Sequence, residues 1–457
     1  MTQLTLPRSA AYPEPDDRSP WRGSQRDAAV DLVRAVCLTI VLVLHISMAG
    51  VSVVGGDISI TNAVENEGWF APLTWLLQVM PLFFMIGGFA ARAQWMRLRA
   101  RGGTSRDFIA TRTRRLLVPS LAFTAIVTAV LTLAALSGVD AALLAEASLR
   151  MTQPLWFLAV YLGVTALVPL MLRAHAAAPH ATLIALVSGA ILVDAFRALT
   201  GVDAVGVVNY AFVWLAIQQL GFFFADVKGR RTVARPGWHR LPLGLIGGGI
   251  LALVLLIAFA GYSPELLLDN NNPASIALIA LGIAQLGLLM LMHPWLTSVA
   301  SGTRAAAFSR FVNAHSMRLY LWHMPVLVAV TAVLLLVGSW MPEPLSFGWF
   351  ATRPLMLVAV LAATAAVVPW LAHLDGPTER GVELATSRIR YRQSSTPVSV
   401  WTGIAGVVAL LVFGFWPMWA GTLACALMIV SLRTANKSVP TERARTAAEP
   451  SGAQTKR

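Results

Sequence analysis

The stretch DLVRAVCLTIVLVLH, residues 31–45, decides how this chain is read. It is apolar enough to lie within a membrane-crossing helix, yet it holds Asp31 and Arg34 at its start and His45 at its end. Ionisable groups at membrane depth are costly, and they generally face a cavity or a partner. Arg34 and His45 are eleven residues apart. On a helix that offset returns to within roughly 20° of the starting direction after a rise of about 16 Å, so both side chains look along one face. Asp31 lies one turn before Arg34 and can act as its local counter-charge. Snorkelling to the inner membrane boundary accounts equally well for Arg34 alone. His45, deep in the span or near its outer end, reads as functional.

Composition extends this reading to the whole chain. Apolar residues make up 57% of it and charged residues 12%. The charged share is about half that of an ordinary soluble domain. Apolar runs recur at about 28–53, 69–91, 115–137, 155–172, 182–200, 207–226, 241–261, 274–292, 317–337, 353–372, 398–415 and 417–433. Each approaches the ~20 residues that carry a helix across ~30 Å of hydrocarbon. The expected fold is all-α: a polytopic transmembrane helical bundle with a ten-span core at 28–372 and a C-terminal transmembrane hairpin at 398–433, about 12 spans. The last two runs are short and joined by WPMW, which fits either a re-entrant segment or a tightly coupled pair.

Basic residues are placed asymmetrically. Of the 35 lysines and arginines, all but Arg34 in the first span and Arg150, Arg197 and Arg353 fall in the N-terminus, alternate loops or the tail. Basic loops are retained on the inner side, so both termini are expected in the cytoplasm and the chain in the plasma membrane. The net charge of +13 reflects this bias, and no nucleic-acid partner is expected. Residues 1–27 and 434–457 read as disordered cytoplasmic leader and tail, and 373–397 as a cytoplasmic linker. Cys37 and Cys425 both fall inside spans, which offers neither a disulfide framework nor a thiolate zinc site. The histidines at 175, 180, 239, 293, 315 and 373 lack metal-ligand spacing, and no metal is expected.

Five segments in order resemble one family. Asp-x-x-Arg-x10-His in the first span is followed by PLFFMIGGFAAR at 81–92 and FIATRTRRLLVP at 108–119. PLWFLAVYL at 154–162 and SMRLYLWHMPV at 316–326 complete the set. Together they are similar to the acyltransferase 3 family of integral membrane acyltransferases, over about residues 26–372. The resemblance implies transfer of an acyl group, commonly acetyl, from cytoplasmic acyl-CoA as co-substrate, with no permanently bound cofactor. It implies a hydroxyl acceptor on a glycan, a lipid-linked sugar or a small molecule, and a protein embedded in the lipid bilayer.

The residues carry matching chemistry. The segment 92–115, expected as a loop, holds eight arginines against one acid, Asp107. Arginine binds phosphates bidentately, and coenzyme A is rich in them. Arg112 and Arg115 lie one turn apart and are assigned, with Arg34 and Asp31, to donor binding. His45 is the natural base, because an acceptor hydroxyl cannot ionise unaided at neutral pH. Nucleophilic catalysis through an acyl-imidazole needs the same residue, and sequence leaves both open. An orienting carboxylate is sought among Asp57, Glu65 and Glu67, although plain solvation suits three acids in an outer loop. Ser316, Tyr320 and His323 recur along one helical face. The resemblance puts them at the reaction cavity, either supporting it or polarising the thioester carbonyl. The catalytic candidates are therefore His45, His323 and Tyr320.

Two other classes fit in part. A transporter or flippase would suit a dozen spans with polar residues at depth, but no inverted repeat or pair of Gly/Pro-broken helices is visible. A catalytically degenerate scaffold is disfavoured by the intact set Asp31, Arg34, His45, Arg112 and Arg115.

Overall fold

The computed structural model describes residues 27–54, 57–64, 67–229, 237–338, 341–374 and 396–435. The expectations for the leader, the linker and the tail fall almost wholly outside these residues. In chain order the elements are α1 (Ala28–Met48), β1 (Ala49–Val54), β2 (Asp57–Asn62), α2 (Ala71–Leu77), α3 (Met80–Ala100) and α4 (Ser105–Leu136). There follow α5 (Ala141–Thr152), α6 (Trp156–Ala166), α7 (Val168–Ala177), α8 (Pro179–Thr200), α9 (Asn209–Gly229) and α10 (Arg240–Phe259). The last are α11 (Ile276–Ser301), α12 (Thr303–Leu336), α13 (Phe347–Leu371), α14 (Thr396–Phe413) and α15 (Met418–Thr434). Among the described residues 10 helical segments are long and apolar enough to cross a membrane, an eleventh is the bent run from α5 to α7, and α15 is a shorter apolar helix.

The all-α bundle is as expected, with local differences that have physical causes. The first span stops at Met48 rather than 53, because GVSVVGGDISIT alternates in the β manner around two glycines. Ala49 pairs with Asn62 and Val51 with Ile60 in an antiparallel hairpin. The basic segment 92–115 is mostly helix, with only residues 101–104 connecting α3 to α4. α3 runs on through Arg92, Arg97 and Arg99, and α4 starts at Ser105, as suits a good helix former such as arginine. Asp107 closes a capping box with Thr104 rather than serving as a stray counter-charge. The fourth span bends by 51° between α6 and α7, where Pro169 removes a helical hydrogen bond. α12 starts at Thr303, well before the expected 317, so Ser316, Tyr320 and His323 lie within a long helix.

Two apolar cores lie on either side of α1. Ala35, Leu38, Leu42 and Ile46 pack with α4, α6, α12 and both C-terminal helices, while Val30, Val33 and Cys37 pack with α3, α9 and α11. Interhelical polar contacts tie the bundle. Gln218 donates to the Val164 carbonyl, Gln219 to His175 Nδ1, and Gln285 to the Gln78 carbonyl. Buried Asp194 accepts from Asn209, Tyr262 and the Ile276 amide, so its carboxylate joins α8, α9 and α11. It also lies 3.8 Å from Arg197, the pairing expected from their spacing.

Close approach of α3 to α9 depends on glycine. A Cβ at Gly221 would collide with the Met85 carbonyl, and one at Gly88 would stand 2.5 Å from the Gln218 carbonyl. In the GGG run only Gly249 meets a neighbouring backbone, at the Ala284 amide, whereas Gly247 and Gly248 face open space. Gly221→Leu is therefore expected to cost about 3 kcal/mol by overpacking, and Gly247→Leu is expected to be nearly silent. Thermal unfolding in detergent reads the difference, and equal melting of both variants would contradict it.

Candidate active site

A stripe of α1, namely Arg34, Leu38, Val41, His45 and Met48, lines one cavity of about 2050 Å³. The face inferred from the eleven-residue offset is thus a continuous wall. The same cavity is lined by Arg112 and Arg115 at the end nearest Arg34, and by Thr61 and Asn62 of the β-hairpin at the far end. These are called the arginine end and the hairpin end below.

At the arginine end Asp31 and Arg34 approach to 3.9 Å. The closer contact is one the sequence did not reveal: Arg34 Nε donates to Asn313 Oδ1 at 2.6 Å. Asn313 Nδ2 donates in turn to the Asp31 carbonyl at 2.8 Å. A guanidinium has only donors, so the amide orientation is fixed by its partners. Asn313 lies two turns before Tyr320 on α12, a spacing that would have marked it had α12 been extended back to Thr303. Arg112 stacks on Phe108 at 5.5 Å, close to Tyr161, Arg115 and Arg34.

The centre of the site is a pair of histidines. His45 Nδ1 lies 2.9 Å from His323 Nε2, and His323 Nδ1 lies 2.7 Å from the Tyr320 carbonyl. A carbonyl oxygen only accepts, so His323 carries its proton on Nδ1. In a neutral pair His323 Nε2 is then the acceptor and His45 Nδ1 the donor. The lone pair of His45 is left on Nε2. His323 is fully buried, whereas His45 lines the cavity. Tyr320 is also committed, its hydroxyl donating to the Pro154 carbonyl at 2.5 Å. Ser316 lines the cavity.

Of the acids expected as orienting groups, the side chain of Glu67 alone falls among the described residues. Glu67 accepts from the Trp69 indole in an exposed contact, and the side chains of Asp57 and Glu65 lie outside the described residues. The three basic residues assigned to the far side hold structure there. Arg150 donates to Glu146 and to the Ile60 carbonyl of β2, and Arg353 donates to the Ala49 carbonyl where α1 meets β1. Arg197 pairs with Asp203 at 3.1 Å in addition to Asp194. Two of the three thus fasten the β-hairpin that lines the cavity. Among the described residues no cluster of three or more His, Cys, Asp or Glu is arranged to hold a metal.

A polytopic helical membrane protein built around an internal cavity with an imidazole on its wall is the class that fold and site define. The model of the acyltransferase 3 family, an acyltransferase domain, matches residues 27–373, and the chain belongs to that family of O-acyltransferases. The match includes α1 to α13 and ends before α14 and α15. No curated protein and no solved structure matches the chain. Family membership decides between enzyme and transporter in favour of the enzyme.

The tautomers can be read directly. With ¹⁵N-labelled histidine, the imidazole shifts of His323 and His45 are both expected to report protonated Nδ1 and bare Nε2, and a protonated His45 Nε2 in the neutral pair would contradict the geometry.

Proposed function

We propose that the protein moves an acyl group, acetyl for preference, from cytoplasmic acyl-CoA to a hydroxyl of a cell-envelope glycan, a lipid-linked sugar or a secreted metabolite. The observation that carries this reading is the cavity joining three arginines to an imidazole on its wall whose Nδ1 is engaged with His323, which leaves the lone pair on Nε2. Arg34, Arg112 and Arg115 hold the phosphates of the coenzyme, and Asp31 and Asn313 hold Arg34 in place. The arginine end is cytoplasmic by the charge bias of the loops, both termini lie on that side, and the membrane is the plasma membrane. α1 to α13 form the catalytic core and α14 with α15 an added hairpin.

His45 acts as the base. Its Nε2 takes the acceptor's hydroxyl proton as the oxygen bonds to the acyl carbon. The carbon–sulfur bond then breaks, and the imidazolium returns the proton to the departing thiolate. While His45 is charged, its Nδ1–H bond to neutral His323 becomes charge-assisted and therefore stronger. His323 is a positioning residue by this argument, and Tyr320 holds the Pro154 turn against α12. Neither has a donor left over for the thioester carbonyl, which favours support over polarisation for both.

Purified protein with labelled acetyl-CoA tests the reading. His45→Ala is expected to lower both acyl transfer and slow thioester hydrolysis by about 100- to 10,000-fold, and equal activity in the two proteins would contradict the assignment. Arg112→Ala and Arg34→Ala are each expected to weaken acetyl-CoA binding about tenfold or more, the worth of a charge-assisted hydrogen bond. Unaltered affinity in both would remove the donor site. His323→Gln keeps an acceptor for His45 Nδ1–H and His323→Leu does not. The glutamine variant should therefore retain much more kcat with KM little changed, and equal kcat in both would argue that His323 only fills space.

A further inference from the structure

The cavity is larger than a donor and a small acceptor need. At about 2050 Å³ it is twice the upper end of the ~300–1,000 Å³ usual for small-ligand sites. Its polar side chains collect in two places. One is the arginine end, and the other is the hairpin end, where Asn62, Gln153, Tyr210, Asn271 and Asn272 line the wall beside two charged residues that the protein itself engages, Arg150 with Glu146 and the Ile60 carbonyl and Asp269 with Ser263. Amides and hydroxyls both donate and accept, which matches an uncharged hydroxyl-bearing headgroup. Trp156 and Tyr210, with ring centroids 5.9 Å apart, add aromatic surface beside them.

A third region has a different character. Where the halves of α4, α5, α12 and α14 towards the hairpin end face one another, the wall is made by Val130, Leu143, Ala147, Leu335, Val408 and Leu411. Val130 and Val408 are 56% and 41% exposed, so this branch is open at the side of the bundle. In a membrane that side is hydrocarbon. One of its walls, α14, lies beyond the family match yet is firmly seated. Ser399 and Ser431 exchange hydrogen bonds with each other's carbonyls, and Ile404 lies against Gly163 of α6.

Resting on the acyl-transfer reading, we propose that this branch holds the hydrocarbon tail of an amphipathic acceptor. The acceptor is then a sugar-like headgroup carried on a lipid, and α14 takes part in selecting it. A freely soluble metabolite or polymer has no use for an apolar side opening that is continuous with the reacting centre. A tail moving from bilayer to branch gains little hydrophobic energy, because lipid is as apolar as the wall. The branch works by placement: it holds the headgroup among the amides, with one hydroxyl held toward His45 Nε2. The transfer itself is the step given above, with the proton passing from hydroxyl to His45 to thiolate.

The test uses full-length protein in lipid nanodiscs with labelled acetyl-CoA and methyl, octyl and dodecyl glucosides as acceptors. The kcat/KM for transfer is expected to rise about tenfold or more from methyl to dodecyl, as a positioned tail would give. Val408→Trp fills the branch and should bring the dodecyl-to-methyl ratio towards one. Val130→Trp on the facing helix reads the same ratio should the first variant fail to fold, and Leu251→Trp, on the exposed face of α10, should leave it unchanged. A ratio near one in the parent protein, or a ratio indifferent to both branch variants, would overturn the inference. So would a change in preference between acetyl-CoA and octanoyl-CoA instead of between glucosides, since the branch would then hold the donor's chain. Absence of both transfer and thioester hydrolysis in the parent protein would sink the acyl-transfer reading itself, and this inference with it.

Discussion

Two polar contacts between α1 and α12 hold the site together: the Arg34–Asn313–Asp31 clasp at one end and the His45–His323 bond at the other. Inside a membrane each of these groups would be costly alone. Paired across two helices, they satisfy one another and fix the register of α1 against α12. A shift of one residue would rotate α1 by about 100° and break both contacts at once. That constraint is why the wall of the cavity is a straight stripe from Arg34 to Met48, with the base at a set distance from the arginines.

Around this pair the rest of the bundle supplies support. α1 is flanked by two apolar cores, so neither of its sides is free to move. Arg353 holds the backbone just beyond His45, at Ala49, and Arg150 holds the opposite strand of the hairpin. At the other end Asp27 caps α1 through the Val30 amide and pairs with Lys228 and His293. The helix that carries both the holding residue and the base is thus restrained at both termini and along its length.

Much of this was legible in the sequence. The inventory of spans follows from apolar runs of sufficient length, and the shared face of Arg34 and His45 follows from helical periodicity. Four features were not legible, each for a definable reason. The β-hairpin at 49–62 was absorbed into the first span because its valines and isoleucines are as apolar as a helix's, although GVSVVGGDISIT carried the alternation that betrays it. The basic segment hid two helix ends, since hydropathy marks where a membrane stops and not where a helix does. Asn313 lies in the part of α12 that precedes its apolar run, so hydropathy does not mark it either. The sequence offers the carboxylates of the first outer loop as partners for His45, whereas the structure places another histidine there. No spacing rule within one helix predicts a contact between residues 278 positions apart.

The account stands or falls on where the reacting carbon sits relative to His45. A structure with a hydrolysis-resistant acetyl-CoA analogue would read this directly. The prediction is phosphates among Arg34, Arg112 and Arg115, and the acyl carbonyl carbon beside His45 Nε2 while Nδ1 stays bonded to His323. An analogue seated away from the arginines, or an acyl group facing any side chain other than His45, would contradict it.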